Sequence, residues 1–237
     1  FGPDGSLARA LPAYEQRDEQ VRMAREVCKA YNEGCILLCE AGTGTGKSIA
    51  YLLPSILWAR QNRERVIVST NTKNLQEQLF FKDVPLLKQA LGDSFRTAII
   101  KGRSNYLCTR KFVQVLDDAD RELDDDERVR AVPVITWAPF TKTGDIAENA
   151  GFLGGFSSEL WSKLSTTMEE CLGPRCPYAG RCFVRKARAL SLNADVVVAN
   201  HAVVFSELGN EDSAVLPPYQ HIIFDEAHNV ENVATDH

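Results

Sequence analysis

Residues 40–54 read "EAGTGTGKSIAYLLP" and hold three glycines, three hydroxyl side chains and one lysine within a single bend. The bend follows the apolar run "CILLC" at 35–39 and leads into a helix-like segment. Glycines let the backbone turn tightly and aim successive N–H groups at one point. The helix that follows adds the partial positive charge of its N-terminus, so the bend suits a polyphosphate. In that reading Gly42, Thr43, Gly44, Thr45 and Gly46 cradle phosphates, Lys47 reaches the β- and γ-phosphates, and the Ser48 hydroxyl ligates Mg²⁺. Ala41 stands where the strict glycine pattern begins.

Working outward, apolar runs alternate with helical patterns. A helix is predicted over 15–33, a buried strand over "CILLCE" (35–40), and a helix from about Lys47 to Arg60. Further strands are predicted at "RVIVST" (65–70), "TAIIK" (97–101), "DVVVAN" (195–200) and "HIIFDE" (221–226), with an amphipathic helix across 73–91. Continuous apolar strands bounded by polar turns are what a parallel sheet covered on both faces requires. The prediction is a doubly wound, mainly parallel α/β sheet formed by residues 1–101 and 190–237, with an insertion over 102–189 where the rhythm breaks.

The last of these strands ends in "IIFDEAH", 222–228. At a strand's C-terminal end Asp225 and Glu226 would face the crevice of the phosphate loop. Asp225 would hold Mg²⁺, and Glu226 would position and deprotonate an attacking water. A bare acidic pair after a strand is weak evidence, and becomes strong only together with the loop far upstream.

The 237 residues suffice for one large domain or two small ones. No stretch approaches a membrane span and no signal peptide opens the chain, so a cytoplasmic protein is the expectation. With no initiator Met before Phe1, and an abrupt stop at His237, the sequence is read as a fragment. The net charge of −5 is uneven. "DDADRELDDDER" (117–128) carries −6, which leaves the remainder at +1 and able to form local basic patches. The acidic run itself reads as a solvated helix or loop.

Seven cysteines without a secretory signal do not suggest a disulfide framework. Cys28, Cys35 and Cys39 lie in apolar patterns and read as small buried hydrophobes. Cys108, Cys171, Cys176 and Cys182 are separated by 62, four and five residues. Thiolates so spaced could converge on zinc or on an iron–sulfur cluster, or could simply be buried thiols; spacing alone leaves these open.

"AGTGTGKS" together with "DEAH" resembles the superfamily 2 helicases. "KGRSNYLC" (101–108) with "CLGPRCPYAGRC" (171–182) resembles the iron–sulfur insertion of the XPD/DinG family, with the bacterial DinG branch nearest, and Asn200–His201 fits the same pattern. The resemblance covers essentially the whole chain. It implies a RecA-like P-loop motor domain carrying an inserted, mostly helical iron–sulfur domain, with a [4Fe–4S] cluster on the four cysteines and with ATP and Mg²⁺ as cofactors. It implies that Arg17 and Gln20, in "YEQRDEQVRM", recognise adenine. It implies an ATP-dependent 5′→3′ DNA helicase in repair or replication. Such an enzyme would act as a monomer on single-stranded, forked or displaced-strand DNA, beside single-strand-binding protein or repair factors.

"STNTKNLQEQL" (69–79) resembles the family's DNA-contacting motif, with Thr70, Thr72 and Gln76 as contacts; short hydroxyls and amides suit phosphates without sequence preference. Lys101, Arg103, Arg110 and Lys111 flank the first of the four cysteines. Arg175, Arg181, Arg185, Lys186 and Arg188 surround the other three, with Tyr178 and Phe183 between them, which suits sequence-tolerant strand binding. Trp137, Phe140, Phe152, Phe156 and Trp161 read as the insertion's own core. The alternative is an iron–sulfur nucleic-acid-binding or redox-sensing module with a non-motor ATP site. A small-molecule enzyme lacks any pocket signature. The sequence holds no second α/β motor domain, so the 237-residue piece alone is expected to bind ATP and DNA weakly and not to unwind duplex.

Overall fold

The computed structural model describes residues 1–2, 4–10, 15–42, 44–92, 94–208 and 216–236. The chain forms two compact units: Phe1–Ile100 with Ser191–Gly209 and Leu216–His237, and a second unit containing Lys101–Leu190.

The first unit opens with α1 (Ser6–Ala10) and α2 (Asp18–Glu33), and α2 stops at Gly34 in the left-handed conformation that ends helices cheaply. Next come α3 (Lys47–Asn62), β1 (Val66–Thr70) and α4 (Lys73–Gln78). The predicted 73–91 helix then passes through a π-helical turn, Leu79–Asp83, into α5 (Val84–Leu91), before β2 (Thr97–Ile99). The second unit is mostly helical: α6 (Thr109–Asp117), α7 (Ala119–Glu122), α8 (Asp125–Trp137), α9 (Ala150–Leu153), α10 (Ser158–Leu164) and α11 (Phe183–Ser191). The chain returns to the first unit with β3 (Val196–Asn200), α12 (His201–Leu208), β4 (His221–Phe224) and α13 (Val230–Asp236). No described helix is long and apolar enough to cross a membrane.

The sheet is parallel throughout, in the order β2–β3–β1–β4. Every residue of β1 is buried, as are Val196–Ala199 of β3. Side chains alternate across a strand, so Val66, Val68, Val196 and Val198 join Leu52 and Ile56 of α3 and Leu87 of α5 in one core, while Ile67 and Val197 are buried on the opposite face. A parallel four-stranded sheet with helices is consistent with a RecA-like motor domain. The chain passes from β1 out to β2, returns between them as β3, and crosses to the other side of β1 as β4. The C-terminal ends of β1 and β4 thereby carry Ser69 and Asp225 side by side, with the Asp225 N–H donating to the Ser69 carbonyl at 2.8 Å.

One predicted strand is absent. Residues 35–40 are not a strand; Ile36 is 93% and Leu38 89% exposed. An apolar run favours burial, but a strand also needs a partner's ladder. Residues 35–40 pair with no described strand, although β2 and β4 each have a single strand neighbour. Cys28, Cys35 and Cys39 are exposed rather than buried: Cys28 lies on the outward face of α2, whose Ala24 and Val27 are the buried ones, and Cys35 and Cys39 belong to the exposed run after it.

In the second unit Phe152, Leu160, Trp161 and Leu164 form a core with Leu107, Val115 and Val134, and Trp137 packs against it. Phe140 and Phe156, expected in this core, are exposed. The acidic run forms α7 and the start of α8. Asp124 caps α8 by a capping box with Glu127, and three acids in the first turn suit the helix dipole.

Candidate functional site

The loop after residue 40 is held from several sides. Gly44 and Gly46 have φ of 78° and 76°, and Gly46 is the N-cap of α3. The Thr45 hydroxyl donates to the Gly42 carbonyl at 2.9 Å, and the Lys47 ammonium folds back to the Ala41 carbonyl at 2.9 Å. The Gln20 amide donates to the Gly46 carbonyl at 3.0 Å, and the Arg17 guanidinium donates to the Gly44 carbonyl. Sequence reading assigns Arg17 and Gln20 to adenine; here one donor of each is bonded to the loop backbone, so both also brace the loop. Thr43 lies outside the described residues.

A Cβ on Gly46 would come within 2.2 Å of the Gln20 amide nitrogen, in a backbone region that L-residues rarely adopt. Gly46→Ala should therefore lose about 1–2 kcal/mol of stability from backbone strain alone. A thermal melt of this variant checks it, and an unchanged melting temperature would contradict the loop geometry.

The first turn of α3 points at the end of β4. Tyr51, one turn after Ser48, donates its hydroxyl to Asp225 Oδ2 at 2.9 Å. Ser48 lies close to both the Tyr51 hydroxyl and the Asp83 carboxylate. Burial, then the Asp225 charge, pushes the Tyr51 phenol well above its usual value, so it stays a donor. Burial also raises Asp83, against the Ser48 hydroxyl and Lys82, which lower it. Asp83 Oδ2 is buried without a hydrogen-bond partner. The π-helical turn that ends at Asp83 is the device that brings this carboxylate in; such bulges are frequent at functional sites. Ser48, Tyr51, Asp83 and Asp225 thus share one cleft. Neither Tyr51 nor Asp83 was singled out in the sequence. Tyr51 had one usable signal, its helical spacing three residues after Ser48.

Glu226 has φ 58° and ψ 46°, a left-handed backbone that a non-glycine residue adopts at a cost. Its N–H is bonded to Asp225 Oδ1 at 3.0 Å. Behind this turn sits His201, fully buried, with Nδ1 at 2.6 Å from the Ser69 hydroxyl and its ring tilted against Phe224.

The expected DNA contacts divide. Thr72 is exposed and caps α4, accepting from the Leu75 N–H at 3.2 Å. Thr70 and Gln76 are fully buried. The Gln76 amide donates to the carbonyls of Ile100 and Val198 at 2.7 and 3.2 Å, and the Thr70 hydroxyl donates to the Thr72 carbonyl. These two side chains satisfy interior backbone groups and do not face a strand. Lys101 is 2% exposed and paired with Asp145 at 2.6 Å, so its ammonium is not offered to a phosphate either. Arg185 is exposed and Arg103 half-buried. Arg110 is bonded to Gln114 and to the Glu170 carbonyl. Phe183 packs on the second unit's core rather than standing free for a base.

Cys108, Cys171, Cys176 and Cys182 are all partly buried in the second unit. Their chain neighbours meet: the Thr109 hydroxyl donates to the Arg181 carbonyl at 3.1 Å, and Arg110 to the Glu170 carbonyl at 3.3 Å. Among the described residues, however, no group of three or more His, Cys, Asp or Glu side chains is gathered tightly enough to hold a metal ion.

The DEAD/DEAH box helicase family model matches residues 21–114, and the DEAD_2 family model matches residues 153–237. The chain is 38% identical, over its whole length, to a Haemophilus influenzae protein named ATP-dependent DNA helicase YoaA. It is 38% identical over 97% of its length to a Mycobacterium tuberculosis protein named ATP-dependent helicase DinG. It is 34% identical over its whole length to a Bacillus subtilis protein named 3′-5′ exonuclease DinG. The chain spans 36%, 37% and 25% of these relatives, respectively.

Proposed function

We propose that the chain is the ATP-binding part of a DNA helicase motor of the XPD/DinG kind, a reading supported by the DEAD/DEAH box and DEAD_2 model matches and by the similarity to proteins named YoaA and DinG. The observation that carries the reading is the cleft shared by the phosphate loop and the acidic strand end, joined through Tyr51 and Asp225 at 2.9 Å. Loop amides at Gly42, Gly44, Thr45 and Gly46, with Thr43, would receive the triphosphate. Lys47 would exchange the Ala41 carbonyl for phosphate oxygens, a better partner for an ammonium.

Mg²⁺ fits the residues at hand. Ser48 and Asp225 offer hard oxygen donors, and the orphaned Asp83 Oδ2 is a buried polar atom still lacking a partner. A magnesium ion takes only one or two protein carboxylates, the rest coming from phosphates and water, and it would neutralise charge developing on the phosphoryl oxygens. Glu226, held in its strained turn, would orient a water and take its proton. Tyr51 keeps Asp225 facing the loop.

The four cysteines fit a [4Fe–4S] cluster by donor chemistry, and the bonds between their neighbours support convergence of the three segments. Thiol spacing serves zinc equally, so the assignment rests on family resemblance. Bound there, the cluster would tie residues 108 and 171–182 together in the inserted domain, 102–189. Anaerobically purified protein is expected to be brown and to contain iron; a colourless preparation with stoichiometric zinc would contradict the cluster.

The exposed groups left for strand binding are, in the first unit, Thr72 and, taken separately in the second, Arg175, Arg181, Arg185 and Arg188. Binding should be insensitive to sequence and fall steeply with salt. The 5′→3′ direction, a role in repair or replication, and action as a monomer on forked or displaced strands beside a single-strand-binding protein rest on the same family resemblance. The test is ATP hydrolysis by the full-length protein with and without single-stranded DNA. Stimulation by DNA is expected. Iron content and DNA binding without any ATPase would favour the iron–sulfur binding or redox-sensing module instead.

A further inference from the structure

His201 is the one fully buried histidine among the described residues, and the roles above leave it unused. It opens α12 immediately after β3, between the two strand ends that carry the motifs. On one side Nδ1 meets the Ser69 hydroxyl at 2.6 Å, and Ser69 is the first residue of the segment that resembles the DNA-contacting motif. On the other side the backbone groups of Asp225 and Glu226 face the ring. Nε2 nevertheless has no hydrogen bond of normal geometry and is sealed from water. A neutral imidazole has one donor nitrogen and one acceptor. If Nδ1 were the donor, a bare Nε2 would face backbone oxygens and be repelled. The favourable tautomer has Ser69 donating to Nδ1 and leaves Nε2–H as a buried donor in want of an acceptor.

That want coincides with a second departure from ease, the left-handed backbone of Glu226. We propose that His201 is a positioning residue that couples the turn after β1, where Thr72 is the exposed group, to Glu226. In the present state Nε2 is buried without a hydrogen-bond partner. When a bound strand shifts residues 69–72, Ser69 carries the ring with it, Nε2–H closes on the Asp225–Glu226 backbone, and the Glu226 carboxylate is set for its water. The direct bond from the Asp225 N–H to the Ser69 carbonyl keeps the strand ends in register while the ring moves. An unpaired buried donor costs enough that two arrangements, open and closed, differ by a small free energy which a ligand can tip. This inference rests on the reading of Glu226 as the base and of Thr72 as strand-facing.

The experiment compares full-length wild type with His201→Ala, His201→Asn, His201→Gln and Ser69→Ala. It measures hydrolysis with and without single-stranded DNA, nucleotide affinity and melting temperature. Asn can reach Ser69 as Nδ1 does, and Gln can reach the 225–226 backbone as Nε2 does, but neither reaches both. DNA stimulation is expected to fall at least about fivefold in all four variants, as loss of a typical coupling energy requires. Nucleotide affinity should stay within about threefold, since the loop contacts are untouched. Asn and Gln should recover stability relative to Ala without recovering stimulation. Stimulation that recovers together with stability, or that survives intact in Ser69→Ala, would overturn the coupling and leave only a packing role. A wild type that DNA fails to stimulate would defeat the helicase reading and this inference together, an outcome distinct from a stimulated wild type with equally stimulated variants.

Discussion

Glu226→Gln is expected to lower DNA-stimulated ATP hydrolysis by about 10²- to 10⁴-fold, the range carried by a positioned general base, while nucleotide still binds. The glutamine keeps the size of the side chain and its place in the left-handed turn, but it cannot take a proton at neutral pH. Because Glu226 is not bonded to the loop, ground-state affinity should hardly move, so the loss belongs in kcat rather than KM. Asp225→Asn should behave differently. Asp225 receives the Tyr51 hydroxyl and the Glu226 N–H, so neutralising it weakens both the Mg²⁺ position and the turn that holds the base. Single-turnover hydrolysis with separately measured nucleotide binding distinguishes the two. Near-normal turnover in Glu226→Gln would remove this residue from the chemistry.

Lys101→Met is expected to destabilise the second unit by about 3–5 kcal/mol, the cost of leaving one member of a buried ion pair behind. Asp145 is 13% exposed, which favours the lower end of that range. The pair is built into a knot: the Lys101 N–H donates to the Tyr106 hydroxyl at 3.1 Å, and Tyr106 bridges Asp145 through the backbone. Burial, opposed by that bond and aided by the Asp145 charge, pushes the Tyr106 phenol up to about 12. Replacing both charges, as in Lys101→Met with Asp145→Leu, should recover much of the loss, because the uncompensated carboxylate is then gone. A phosphate contact would act oppositely, sparing the melting temperature while lowering the salt dependence of DNA binding. Thermal melting and a salt titration of the two variants decide between these outcomes.

The sheet was legible because parallel strands covered on both faces are continuous β-branched runs, and "VIVST", "DVVVAN" and "HIIF" are such runs with no competing helical period. The same rule misread "CILLCE": hydrophobicity is a property of the segment, whereas a strand exists only where a partner's ladder is made, and residues 35–40 make none. The acidic pair and the loop were legible as chemistry because their residue types have few other uses in that order. Polar side chains inside a motif were not. Nothing in "STNTKNLQEQL" tells that Gln76 turns inward to serve two carbonyls from different parts of the chain, or that Lys101 finds Asp145 44 residues later. Asp83 was hidden because a π-turn shifts the helical register, and registers are what sequence patterns assume. His201 was visible as a residue but not as a link, since its two partners lie 132 and about 24 residues away in opposite directions along the chain.

The most direct test of the shared cleft is a crystal structure of the full-length protein with Mn²⁺ and a non-hydrolysable ATP analogue, the metal being located by its anomalous scattering. The ion is expected between the Ser48 hydroxyl and Asp225, bound directly or through one water, with the terminal phosphate facing Glu226. A metal and triphosphate seated on the loop with Asp225 and Glu226 turned away, or bound elsewhere altogether, would contradict the account.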